Sequence, residues 1–251
     1  MTLESVLDAA SLVFVMGSLL SVAAVVRFRP SECRLVAEAA LPVGLAGFLI
    51  GVTSMLAAES NPSQIAPAVA IAILTVVYTG IVRLLFVDSL NQNLLGARSV
   101  VGKAGGTGGV IIMLIWATTS VSPDGLAMFW YPQVAMVMTG VALLVFLIGR
   151  LFDEGYATDW AKKILGLGWL GFSVGIVAAL SQLSTPTTLG PALAFSFLSF
   201  LYSTVAVIVG VIWISQAMTG DRGSLSLGLS QILPIAVAAL AVLVGLAVSL
   251  Q

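Results

Sequence analysis

Apolar runs of about 20 residues, separated by short polar connections, fill almost the whole chain, and few folds can accommodate them. Inside a bilayer every backbone amide and carbonyl has to be satisfied by the protein itself, so a spanning chain is helical or a closed barrel. Barrel strands alternate polar and apolar residues over about ten positions, whereas these runs are apolar on every face. The expected fold is therefore all-α and multi-pass. Composition agrees: 8% of residues are charged and 59% hydrophobic, against roughly 25% charged in a soluble domain.

Eight transmembrane spans are predicted, at about residues 9–26, 38–58, 65–87, 105–120, 128–151, 164–183, 191–218 and 227–250. Residues 1–8 carry Glu4 and Asp8 rather than a basic lead, so the first run is expected to be a retained span and not a cleaved signal. The stretch from Gly44 to Tyr78 then recurs without a gap from Gly168 to Tyr202. One offset superposes Gly44 on Gly168, Gly47 on Gly171, Gly51 on Gly175, Pro62 on Pro186, Pro67 on Pro191 and Tyr78 on Tyr202. Apolar composition alone matches leucine with leucine. It does not keep glycine, proline and tyrosine in register across two helices and a loop, so the pattern is read as a duplication. The expected units are residues 1–122 and 123–251, two tandem four-helix repeats. A four-span unit is even, so both copies insert in the same direction, as parallel repeats related by an axis along the membrane normal.

Lysine and arginine set the orientation. Arg27, Arg29 and Arg34 flank the first connection, Arg83, Arg98 and Lys103 the third, Arg150, Lys162 and Lys163 the fifth, and Arg222 lies in the seventh. The other side carries only Glu4, Asp8, Glu59 and Asp124. Both termini are thus expected outside the cytoplasm. The chain holds no histidine and a single cysteine, Cys33, which excludes an internal disulfide, cysteine-based metal sites and imidazole chemistry. No enzyme activity, metal, cofactor or nucleic-acid partner is expected; membrane lipid is. No acidic residue lies at the centre of a span, since Glu38 and Asp88 stand at cytoplasmic ends where water and headgroups are expected to reach them. An intramembrane carboxylate is the usual proton relay, so a chain that carried ions would need another polypeptide to supply one.

Three sets of residues stand out as candidates. Gly44, Gly47, Gly51 and Ser54, with Gly168, Gly171, Gly175 and Ala178, form small-residue stripes that favour close helix packing over an ion path. Pro67 and Pro191 are expected about one turn into the helix after each short outer loop, where they fit a helix start, or more sharply a kink that widens a central space. Thr75 and Ser199 hold equivalent mid-span places, three residues before Tyr78 and Tyr202. Such hydroxyls bond back to their own helix or line an ion path.

These residues resemble the MotA/TolQ/ExbB family of ion-driven membrane motor and channel subunits, and within it the MotA branch. The resemblance lies in GLAGFLIG and IAPAVAIAILTVVYTG of the first copy and LGPALAFSFLSFLYS of the second. SVLDAASLVFVMGSLLS and FWYPQVAMVMTGVALLVF look like another helix of the same family. The resemblance implies a stator-like, proton- or sodium-transporting homo-oligomer in the bacterial cytoplasmic (inner) membrane, with both termini periplasmic. It also implies a single-span partner of MotB/TolR/ExbD type that brings an aspartate, with Pro67, Thr75, Tyr78, Pro191, Ser199 and Tyr202 along the ion path or facing that partner. Three departures stand against it. Phe48 and Phe172 replace the family's threonine in GTLIG, Val76 and Phe200 replace the second of its paired threonines, and the large cytoplasmic insertion is missing. A non-conducting membrane scaffold and a secondary transporter with parallel repeats are the alternative readings.

Overall fold

The computed structural model describes residues 8–28, 33–57, 62–86, 99–121, 127, 129–132, 134–140, 156–181 and 186–214. Among these residues there are seven helices and no strand: α1 Ala9–Val25, α2 Arg34–Ala57, α3 Pro62–Leu85, α4 Val100–Val121, α5 over residues 134–140, α6 Tyr156–Ser181 and α7 Pro186–Ile214. The region of the eighth predicted span lies outside the described residues. Among the described residues four helices are long and apolar enough to cross a membrane, over Arg34–Met55, Val100–Ser120, Lys163–Leu180 and Phe195–Trp213. The apolar parts of α1 and α3, Ala9–Val25 and Val69–Leu85, are shorter. At 1.5 Å per residue, 17 residues of α1 rise about 26 Å, less than the roughly 30 Å hydrocarbon core. In α3 the polar opening PSQ shortens the apolar length in the same way. These apolar helices are compatible with a multi-pass membrane protein.

Helix α2 is the hub. It packs on α3, α7, α1 and α4, and its apolar window is buried throughout, whereas that of α6 is largely exposed. The strongest pairings are α6 with α7 and α2 with α3, followed by α1 with α4 and α2 with α7. Each of the first three pairs meets along small residues. Gly44 faces Thr79 while Gly47, further along α2, faces Thr75; the opposed order makes α2 and α3 antiparallel. Gly168, Gly171 and Gly175 meet Ser203, Ser199 and Ser196 in the same sense. On α4, Gly106 faces Val25 and Gly109 faces Ser21 of α1, while Gly17 of α1 faces Met113. A side chain at any of these places would push the backbones apart, and in lipid that contact is the main source of helix affinity.

Glu38 departs from expectation. It was expected within reach of water and headgroups, yet its side chain is 3% exposed, because the other helices enclose α2 even in its opening turns. Its carboxylate accepts a hydrogen bond from Arg34 Nε at 2.7 Å, which meets the requirement that a buried charge be paired. Helices α3 and α7 begin at Pro62 and Pro186, so these residues, not Pro67 and Pro191, hold the first helical position, where a missing amide does no harm. Pro67 and Pro191 are interior, where each lacks the N–H that would bond to the carbonyl of Ser63 or Thr187. Pro42 likewise lies inside α2.

Helix α1 has well-formed ends. The Asp8 carboxylate accepts from the Ser11 amide at 2.7 Å and from its hydroxyl at 2.6 Å, an N-cap. At the other end Phe28 N–H donates to the Ala23 carbonyl and Arg27 N–H to that of Ala24, the paired bonds of a Schellman motif. Arg27 and Phe28 both take positive φ, 51° and 55°, a conformation that costs a residue with a Cβ roughly 1–2 kcal/mol. Comparing Arg27→Gly with Arg27→Ala cancels the lost charge, and the glycine variant is expected to be the more stable by about 1 kcal/mol. Thermal unfolding in detergent measures it; equal midpoints would remove strain at this turn from the account.

Candidate functional site: a glycine–hydroxyl contact in two helical triplets

The candidate residues converge on two places. In the first, Gly47 of α2 is closed over by Thr75 of α3 and Phe14 of α1: a Cβ built on the glycine would lie 2.7 Å from Thr75 Cγ2 and 2.9 Å from the Phe14 ring. In the second, a Cβ on Gly171 of α6 would lie 2.7 Å from Ser199 Cβ of α7 and 3.5 Å from Met138 Sδ of α5. The offset that superposes Gly47 on Gly171 also superposes Thr75 on Ser199 and Phe14 on Met138. One turn away, Gly44 meets Thr79 and Gly168 meets Ser203, again at matching positions.

The hydroxyls of these contacts are satisfied by their own helices. Thr75 Oγ1 donates to the Ala72 carbonyl at 3.0 Å, and Thr79 Oγ1 to that of Thr75 at 2.8 Å. Ser199 Oγ donates to the Phe195 carbonyl at 2.8 Å and Ser203 Oγ to that of Phe200 at 2.9 Å. All four side chains are buried. Back-bonding lets a hydroxylated side chain lie in an apolar interface without an orphaned donor, and it leaves one small, flat surface for the glycine opposite. The gain between helices is thus mainly dispersion, since the hydrogen bonds stay within each helix.

The two tyrosines behave differently from the hydroxyls. Tyr202 reaches out of α7: its phenol donates to the Phe129 carbonyl at 2.6 Å and accepts from the Tyr131 N–H at 3.0 Å, pinning the segment that leads into α5. Tyr78 is half-buried against the core. A groove of about 330 Å³ opens beside Tyr202, lined by Met138 and Thr139 of α5, Ile164 and Leu167 of α6, and Ser203 of α7. Its walls are mostly apolar. At the far end of α7, the Trp213 indole donates to Thr107 Oγ1 at 2.9 Å and Lys103 Nζ to the Trp213 carbonyl at 3.2 Å, tying α7 to α4.

Of the sequence candidates, Gly44, Gly47, Gly168, Gly171 and Gly175 lie in the helix contacts, as do Thr75 and Ser199. Gly51 is buried in α2, and the Ser54 hydroxyl that ends the stripe is buried with no hydrogen-bond partner. The side chains of Pro67 and Pro191 lie outside the described residues. Sequence reasoning missed Thr79 and Ser203, although a hydroxyl four residues after Thr75 and Ser199 repeats one face of the helix. It also missed the glycines of α4, whose signal was the run GGTGG.

Steric fit makes the glycines separable by experiment. Gly44→Ala and Gly168→Ala drive a methyl into Thr79 or Ser203 and are expected to destabilise by about 1–3 kcal/mol. Gly80→Ala meets nothing within 4 Å and should gain up to about 1 kcal/mol of helix propensity. Adding Thr79→Ala to Gly44→Ala should recover part of the loss, a coupling of about 0.5–3 kcal/mol. Additive losses in detergent unfolding would contradict direct contact. Comparison of the whole chain with protein-family models, curated proteins and solved structures finds no match.

Proposed function

We propose that the chain is the multi-pass subunit of an ion-driven membrane complex of MotA kinship, active with a single-span partner that carries an aspartate. The recurring contact carries this reading: Gly47–Thr75–Phe14 and Gly171–Ser199–Met138 pair the same positions of two helical triplets, and those positions fall in the stretches that resemble the family. The same recurrence supports the duplication, with α1–α2–α3 and α5–α6–α7 as copies. The repeat unit of four spans, the homo-oligomer and the inner-membrane orientation with external termini belong to this proposal too. The eleven acidic residues of the chain all avoid the span centres, so the partner's carboxylate would be the group that takes up and releases the ion.

The aromatic side chains support a second reading, a non-conducting scaffold. Phe172, at the place of the family's threonine, is 6% exposed and packs edge-on against Phe197 with ring centroids 5.5 Å apart, and against Phe200 at 6.3 Å. Trp169 stacks on its other side at 5.6 Å. An aromatic cluster fills space and offers no oxygen to an ion. Phe48 is buried at the equivalent place in α2. The groove beside Tyr202 has too few polar walls to favour the transporter reading.

Reconstitution separates the two readings. Co-purification from native membranes should recover a single-span, aspartate-bearing protein. Liposomes holding both chains should pass protons or sodium ions, and liposomes holding this chain alone should not. Thr75→Val keeps the shape that faces Gly47 and removes the hydroxyl; with Ser199→Ala it should lower the flux several-fold without loss of co-purification. Flux that is absent with the partner bound would favour the scaffold, and a chain always isolated alone would defeat both complex-based readings.

A further inference from the structure

Among the described residues Glu38 is the one acid or base whose side chain is buried, at 3% exposed. Arg34, one turn before it at the start of α2, donates from Nε to its carboxylate at 2.7 Å. Arg83, in the last turn of α3, feels the same carboxylate across the α2–α3 contact. Two guanidiniums thus share one carboxylate, which leaves the cluster with an excess positive charge among the described residues. The place of that excess is marked: Arg83 Nη1 is buried and has no hydrogen-bond acceptor among the described residues. A guanidinium holds its donors in a planar fork and does not shed its charge, so burying a nitrogen without an acceptor loses hydration and gains nothing in return.

Helix packing does not require this arginine. At the offset that superposes Gly47 on Gly171, Arg34, Glu38 and Arg83 match Thr158, Lys162 and Val207. Val207 is fully buried in α7, so an apolar side chain fills the same register position of the matching helix. Replacing a buried charged group by an apolar one is often neutral or stabilising. Arg83 therefore costs stability when nothing binds it, and a ligand that accepts from Nη1 offsets that cost.

Place and donor chemistry together select the ligand. The cluster lies at the end of the spans that Arg27, Arg34, Arg83 and Lys103 flank, the end that the proposed orientation puts in the cytoplasm. Phosphates of acidic lipids are plentiful at that surface, and basic pockets between spanning helices bind such headgroups. The fork of an arginine also matches two oxygens of one phosphate at once. We infer that the Arg34–Glu38–Arg83 cluster is a seat for a phosphate group, with Arg83 Nη1 as its inner donor and Glu38 holding the guanidiniums in place while tempering their affinity. A lipid phosphodiester and a soluble phosphate offer the same chemistry. The inference uses the orientation proposed above and not the ion-driven activity.

Thermal unfolding and native mass spectrometry of the delipidated full chain in detergent test it, with phosphatidylglycerol, phosphatidylcholine and inorganic phosphate added separately. Phosphatidylglycerol should be retained, and should raise the unfolding midpoint more than phosphatidylcholine does. Arg83→Val, which copies Val207, should bind it about tenfold more weakly, the loss of a charge-assisted hydrogen bond, while its midpoint without lipid is no lower than that of the wild type. Glu38→Gln keeps an acceptor for Arg34 and removes the competing charge, so it should bind several-fold more tightly. Arg27 is exposed at the same end, and Arg27→Gln should change little. A midpoint raised by inorganic phosphate and not by phosphatidylglycerol, with the rise lost in Arg83→Val, would keep the seat and make its ligand soluble. Equal effects of the two lipids with none from phosphate would mean that Nη1 is answered within the protein. Equal losses from Arg27→Gln and Arg83→Val would mean that diffuse attraction alone draws the lipid. Either of these last two results overturns the inference. No readout needs an ion gradient or a partner protein, so a seat without flux removes the functional reading alone, and flux without a seat removes this inference alone.

Discussion

Helices surrounded by lipid gain little by hiding apolar surface from one another, because the acyl chains they displace are as apolar as leucine. What holds such helices together is the closeness with which their backbones meet. In this chain that closeness is supplied by glycine opposite a small hydroxylated side chain: Gly44 and Gly47 opposite Thr79 and Thr75, Gly168 and Gly171 opposite Ser203 and Ser199. The hydroxyl suits the role because it bonds back to its own helix, leaving no unsatisfied donor in the interface. Phe14 and Met138 then close the notch from a third helix. Each contact thus joins three helices, and α2, which carries the first, also packs on α7 and α4.

One contact in two settings shows how far local packing determines the whole. Helix α2 and helix α6 carry the same glycine stripe, yet α2 is enclosed by four neighbours and α6 is largely bare. The difference originates in the second face of each helix. Leu45, Ala46 and Ile50 of α2 are covered, while Trp169, Leu170 and Val174 of α6 are not. The third helices reverse the relation, α7 being the better covered and α3 the more exposed. Burial of Glu38 follows from the same enclosure of α2: a carboxylate in its second turn is sealed by protein and held by Arg34.

What could be read from the sequence was what depends on residue size and register. Glycines at spacings of three and four marked α2 and α6 as helices built for close packing, and the structure sets those glycines against Thr75, Thr79, Ser199 and Ser203. Partner choice was less legible, because a hydrophobic face that meets a helix and one that meets lipid have the same composition. That is why the hub position of α2 and the bareness of α6 could not be foreseen. Glu38 was misplaced because sequence reports distance along a helix, not which other helices close around it. The glycines of α4 were visible as a run, but without a repeated partner motif nothing indicated that they face α1.

The direct test of the account is a cryo-EM map of the assembled complex in a lipid nanodisc, resolved well enough to trace side chains at the helix crossings. The account predicts that α5–α6–α7 superimposes on α1–α2–α3, with Gly47 under Thr75 and Gly171 under Ser199 in both triplets and an extra single-span helix seated in the assembly. Triplets that do not superimpose, or Thr75 and Ser199 turned toward lipid with their glycines uncovered, would contradict it.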